Sequence, residues 1–207
     1  MKIGGAQIGP WFWRWWVITN AVGFGVGWLL GVSVLLSRGE SNETGWVPVL
    51  VMFLGWGLIG ASIGISQWTV LRQTLGSWWV LATIIGWVVG AFVVPAIITA
   101  GGGIVISMPI VLMGNAALAG LLQWFTLRRY SQRAALWVLA SLLGWGIGFG
   151  AVVLLAGRLN AIAQSSDLVV AFVGEAVVGA ISGAITGLAL IWLLQPPGTK
   201  QRDAMLS

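Results

Sequence analysis

The chain has 207 residues, of which 58% are apolar, 31 are glycine and only 7% are charged, against about 25% charged in an ordinary soluble domain. So few charges cannot clothe a soluble domain of this size, which excludes a soluble globular enzyme, a disordered tail and a coiled coil. The absence of cysteine and histidine from the sequence removes disulfide frameworks, thiolate metal sites and the commonest haem, zinc and general-base side chain.

A run of about 20 mainly apolar residues spans a bilayer as a helix. Six such runs follow in order: Trp15–Leu36, Val47–Val70, Trp78–Thr99, Ile104–Leu127, Ala135–Ala156 and Leu168–Leu194. They are apolar on every face, whereas membrane strands alternate. The expected fold is therefore all-α: one polytopic membrane domain over 1–207, six transmembrane helices, and short tails at 1–14 and 195–207. The first run exceeds the apolar stretch of a secretory signal and lacks a small-residue cleavage site, so it reads as retained. The connections, 4 to 11 residues long, make successive helices antiparallel. Gly101-Gly102-Gly103 reads as a tight turn. Pro48 falls in a first helical turn, and Pro95 and Pro109 lie inside their runs, where each is expected to kink a helix or move its boundary.

The odd helices share one spacing. Trp16, Asn20, Gly23 and Gly27 in the first run are matched by Trp79, Thr83, Gly86 and Gly90 in the third, and by Trp137, Ser141, Gly144 and Gly148 in the fifth. The even helices share another. Gly60 and Gly64 precede Gln67-Trp68-Thr69-Val70-Leu71-Arg72, and Ala116 and Gly120 precede Gln123-Trp124-Phe125-Thr126-Leu127-Arg128. The sixth keeps Gly183 and Gly187 but continues Leu190-Ile191-Trp192. The chain thus reads as three tandem helical hairpins, about 15–72, 78–128 and 135–194, forming a parallel pseudo-threefold repeat. Inverted repeats underlie many secondary transporters, and these hairpins are not inverted.

The Gln-Trp-x-x-Leu-Arg element followed by an aromatic-rich Gly-x-x-x-Gly helix resembles a group of uncharacterised multi-pass bacterial membrane proteins of cyanobacteria and related photosynthetic lineages. The likeness covers most of residues 60–150. It implies the same topology and brings no activity.

Charge sets the expected orientation. Lys2, Arg14, Arg72, Arg128, Arg129, Arg133, Lys200 and Arg202 fall on one side of the membrane, and only Arg38 and Arg158 on the other. The positive-inside rule then places both termini in the cytoplasm, in a cell (inner) or thylakoid-type membrane. Glu40, Glu43 and Asp167 fall outside. Basic residues so distributed describe topology, and nucleic acid is not an expected partner.

The candidate sites are few. Small-residue stripes such as Gly23–Gly27–Gly31 read first as close helix packing. Ten of the 15 tryptophans, Trp16, Trp79 and Trp137 among them, map to the cytoplasmic end and read as an interfacial anchoring belt. Phe24, Trp87 and Trp145 lie deeper at matched positions, either packed, facing lipid, or lining a cavity for an apolar ligand. Glu175 is the one ionisable residue within the six runs and by default a functional candidate. Its alternative is a structural role near the outer headgroups, paired with Arg158. Asn20 and Asn115 are amides placed to bond across helices. Arg72, Arg128, Arg129 and Arg133 form a basic patch suited to lipid headgroups.

Acid–base chemistry needs a nucleophile or a carboxylate pair, and nucleotide chemistry a Walker lysine. With no His or Cys, one carboxylate within the six runs and no Walker motif, no enzyme activity, cofactor or metal is expected. The expected function is a non-catalytic accessory or scaffold subunit, or a lipid-associated helical bundle. Its partners would be membrane lipids, other membrane-complex subunits or further copies of itself. The alternative is a small-solute or lipid carrier, or a channel, with a central cavity and Glu175.

Overall fold

The computed structural model describes residues 2–3, 6–7, 9–37, 45–100, 108–159 and 168–194. Among them, Lys2–Ile3 (β1) and Ala6–Gln7 (β2) form a two-residue antiparallel ladder, with Lys2 opposite Gln7. The other described residues form helix and short turn: α1 (Pro10–Leu36), α2 (Val47–Leu71), α3 (Trp78–Ala100), α4 (Met108–Leu127), α5 (Leu136–Leu159) and α6 (Leu168–Leu193). All six are long and apolar enough to cross a membrane, so the chain is an all-α, multi-pass membrane protein.

Two helix starts differ from the hydropathy reading by four or five residues. α1 begins at Pro10 rather than Trp15, because proline at the first helical position has its φ preset and lacks only an N–H that would go unused. α4 begins at Met108, which puts Pro109 in the first turn and not in a helix interior. Pro95 does lie within a helix, and α3 continues past it to Ala100. Gly45, with φ +88°, takes the left-handed conformation in the turn that leads into α2. The Gly101–Gly103 turn lies outside the described residues, as do Arg38, Glu40, Glu43, Asp167, Lys200 and Arg202.

Each helix packs on the next, and α6 returns onto α1, closing a ring of six. The odd helices start, and the even helices finish, at one end of the ring, here the proximal end. Trp16, Trp79, Leu71, Leu127 and Leu190 share one buried cluster there. A second cluster around Phe24, Trp87 and Trp145 fills the interior toward the opposite, distal end.

Small residues rather than hydropathy mark the helix–helix contacts. α1 buries Asn20, Gly23, Gly27 and Gly31 while exposing Ile18, Val22 and Leu30. With lipid as apolar as leucine, helices associate by close packing, and glycine permits it. All six interfaces are built this way. Gly23 faces Ser66 and Gly31 faces Ile59 across α1 and α2; Gly60 faces Ile84 across α2 and α3. Gly86 faces Ala119 across α3 and α4, Gly120 faces Ser141 across α4 and α5, Gly148 faces Val178 across α5 and α6, and Gly183 faces Asn20 and Val17 across α6 and α1. The packing reading of the glycine stripes therefore holds.

Candidate functional site

Along the ring axis the interior has three layers, each fixed by helix spacing. Trp16, Asn20 and Phe24 follow at intervals of four, hence on one face of α1 about 6 Å apart in height. Trp79, Thr83 and Trp87 do the same on α3, and Trp137, Ser141 and Trp145 on α5.

The proximal layer is an aromatic triad. Trp16 lies 6.3 Å from both Trp79 and Trp137, which are 5.6 Å apart, centroid to centroid. All three are at most 1% exposed. This corrects the belt reading for these three residues, whose rings face the axis and not the headgroup layer. The sequence carried a signal for it, since each lies on the face of its helix that bears the glycine stripe. The exposed Trp11, Trp15, Trp78 and Trp192 remain on the outer surface.

Buried indole N–H groups need acceptors, and the middle layer provides them. Trp79 Nε1 donates to Gln67 Oε1 at 2.9 Å, and Gln67 Nε2 donates to Asn20 Oδ1 at 2.9 Å. Trp137 Nε1 donates to Gln123 Oε1 at 2.9 Å, and Gln123 Nε2 donates to Thr83 Oγ1 at 2.8 Å. Two hairpins thus use one device, in which the tryptophan of the following hairpin donates to a glutamine that holds the polar residue of its own. In the third hairpin Leu190 occupies the glutamine position, buried and apolar. Trp16 Nε1 turns instead to Thr186 Oγ1, one helical turn away, at 3.1 Å. Gln67, Gln123 and Thr186 are structural residues that the sequence reading passed over, although a Gln three residues beyond an inward-facing glycine lies on that glycine's face.

The distal layer is aromatic again. Phe24, Trp87 and Trp145 meet at centroid distances of 5.7, 4.9 and 5.5 Å, and Phe149 and Trp56 extend the cluster. These rings pack against one another across the axis. Between the polar layer and this one lies a cavity of about 10 Å³, lined by Gln67, Gln123, Ser141 and Thr186 among others. That is room for about one water, far below a lipid or quinone. The polar layer consists of amides and hydroxyls that tie neighbouring helices together.

The remaining candidates stand apart. Asn20 bonds across helices as expected, and its Nδ2 also donates to the Trp16 carbonyl at 2.7 Å. Asn115 is fully buried against Gly90, and neither of its amide atoms has a hydrogen-bond partner among the described residues. Glu175, on the distal part of α6, is partly buried, and its Oε2 likewise has no partner among them. The side chain of Arg158, its expected partner, lies outside those described. α4 and α6 are not neighbours in the ring, so Asn115 and Glu175 occupy separate interfaces.

The four arginines all stand exposed at the proximal end. Arg128 lies over Phe125 at 4.8 Å and Trp124 at 5.7 Å, and Arg133 over Trp192 at 5.0 Å. Arg72 stands at a cleft of about 350 Å³ between the start of α1 and the end of α2. No family model, curated protein or solved structure matches the chain.

Proposed function

We propose that the protein is a non-catalytic membrane subunit: a closed six-helix bundle, built as a parallel pseudo-threefold repeat, whose role is performed by its outer surface. One observation carries this reading. The axis, where a carrier or channel needs its path, is occupied by two layers of mutually packed aromatic rings with a hydrogen-bonded layer between them. A hydrophilic route needs polar lining groups along its length, and here the polar groups bond one another. The surface instead carries large apolar side chains around the ring, Leu54, Leu81, Leu139 and Leu188 among them, suited to lipid or to the helices of neighbouring subunits.

The orientation belonging to this reading has both termini in the cytoplasm of a cell (inner) or thylakoid-type membrane, on the strength of the Lys/Arg asymmetry. The resemblance to multi-pass bacterial membrane proteins with Gln-Trp-x-x-Leu-Arg elements is consistent with it. The test is purification from native membranes in mild detergent followed by native mass spectrometry. The expected result is a stoichiometric complex with other membrane subunits or with further copies of the chain. A lone protein at every detergent-to-protein ratio overturns the subunit role. A C-terminal reporter active only outside the cytoplasm overturns the orientation.

A further inference from the structure

We infer that the cleft between the start of α1 and the end of α2 is a binding site for one anionic phospholipid, its phosphate held by Arg72. This deepens the reading above, resting on the chain as a membrane bundle whose proximal end lies at a headgroup layer.

The three hairpins are not equivalent at this end, and the difference is local. Two residues after Gln67, Gln123 and Leu190 stand Thr69, Phe125 and Trp192. In the second and third hairpins that position is a large ring, and a guanidinium covers it: Arg128 over Phe125 and Arg133 over Trp192. In the first hairpin it is a threonine, whose hydroxyl donates to the Ser66 carbonyl at 2.7 Å within its own helix. No ring fills the space. Beside it lies the cleft of about 350 Å³, whose lining includes Trp11, Trp15, Thr19, Thr69, Arg72 and Gln73. That volume lies in the range of small-molecule sites.

Its chemistry selects the occupant. The lining contains one cation and no acidic residue, so it favours a single negative charge. A guanidinium matches phosphate oxygens in a bidentate fork, and the Gln73 side chain is placed to add an amide donor. Trp11 and Trp15 are 66% and 44% exposed, and their indoles suit the level where headgroup meets hydrocarbon. Exposed Ile18, Val22 and Ile65 on the same two helices offer apolar surface for an acyl chain. Arg128 and Arg133 carry the same charge at the same end, but each guanidinium lies over an aromatic ring.

The experiment is native mass spectrometry of the full chain in mild detergent, titrated with phosphatidylglycerol. Phosphatidylcholine and inorganic phosphate are run in parallel. One retained phosphatidylglycerol per chain is expected, with at least fivefold weaker retention of phosphatidylcholine and no competition by millimolar phosphate. Arg72→Gln, at an exposed position, should weaken retention at least fivefold. Thr69→Phe keeps the charge but puts a ring into the cleft, and should weaken it equally. Arg128→Gln should bind as wild type. Wild-type retention by both cleft variants overturns the site. Equal loss in Arg128→Gln makes the contact a diffuse basic patch and overturns it also. Displacement by inorganic phosphate makes it a free-anion site rather than a lipid site. Lipid counts do not depend on whether partner subunits are present, so failure here and failure of the subunit role are separable.

Discussion

Two buried amides in this bundle carry opposite signs of stability. Gln123 is satisfied: its oxygen accepts from Trp137 and its nitrogen donates to Thr83. Changing it to leucine, the residue at position 190, leaves the Trp137 indole N–H buried without a partner, while the Thr83 hydroxyl keeps only its bond to the Trp79 carbonyl. An orphaned buried group costs about 1–3 kcal/mol, and interhelical hydrogen bonds in membranes average about 0.6 and reach about 1.7 kcal/mol. Gln123→Leu should therefore lower the unfolding free energy by about 1–2 kcal/mol in a denaturing-detergent titration. Asn115 is equally buried, but both of its polar atoms lack partners among the described residues. Asn115→Leu keeps the branched shape and removes the desolvation penalty, so it should raise stability by about 1 kcal/mol or more in the same titration. A loss of stability instead would mean that the amide bonds to a water or ligand, and would return Asn115 to the list of functional candidates.

At the scale of the element, a glycine matters by what faces it. A Cβ at Gly86 would run into the backbone of Ala119 on α4, and one at Gly60 would lie 2.9 Å from the Ile84 Cα. Backbone cannot step aside as a flexible side chain can, so Gly86→Ala must push α3 and α4 apart, at a cost of about 1–3 kcal/mol. Gly150 faces nothing within 4 Å, and alanine there should gain up to about 1 kcal/mol from helix propensity alone. Thermal inactivation followed by size exclusion should show the midpoint falling for Gly86→Ala and unchanged or rising for Gly150→Ala. The six helices were legible because each is a continuous apolar run. The interfaces were legible because glycines at intervals of four must share a face. The tryptophans were less so: an indole at the end of an apolar run suits a headgroup belt and a buried hydrogen bond equally by hydropathy. The face shared with the glycine stripe is what separates the two, and the partner that completes the buried reading for Trp79 and Trp137 is a glutamine 12 or 14 residues away in sequence, on the neighbouring helix. The ends of helices near proline were displaced for a different reason. Hydropathy averages over Pro10–Arg14, whereas the backbone responds to the proline itself.

For the whole molecule, closure of the ring is what turns three hairpins into a solid body. The return of α6 onto α1 was not legible as a run or a motif. It depends on Gly179, Gly183 and Gly187 meeting Ala21, Val17 and Trp16, a contact between the two ends of the sequence. Once closed, the ring brings its aromatic side chains together at the axis. Trp87 and Trp145 are 1% and 5% exposed and touch at 5.5 Å. Removing one such ring forfeits many dispersion contacts and leaves a cavity, by analogy with soluble cores about 3–5 kcal/mol. Removing both beside the polar layer places a wettable gap next to Gln67 and Gln123. In proteoliposomes, wild-type protein should add no osmotic water permeability to that of protein-free vesicles, as read by stopped-flow light scattering. The Trp87→Ala, Trp145→Ala double variant should be less thermostable and, where it remains folded, leakier. Wild-type permeability several-fold above protein-free vesicles would mean that the rings move aside in the membrane, and would restore the channel reading in place of the subunit.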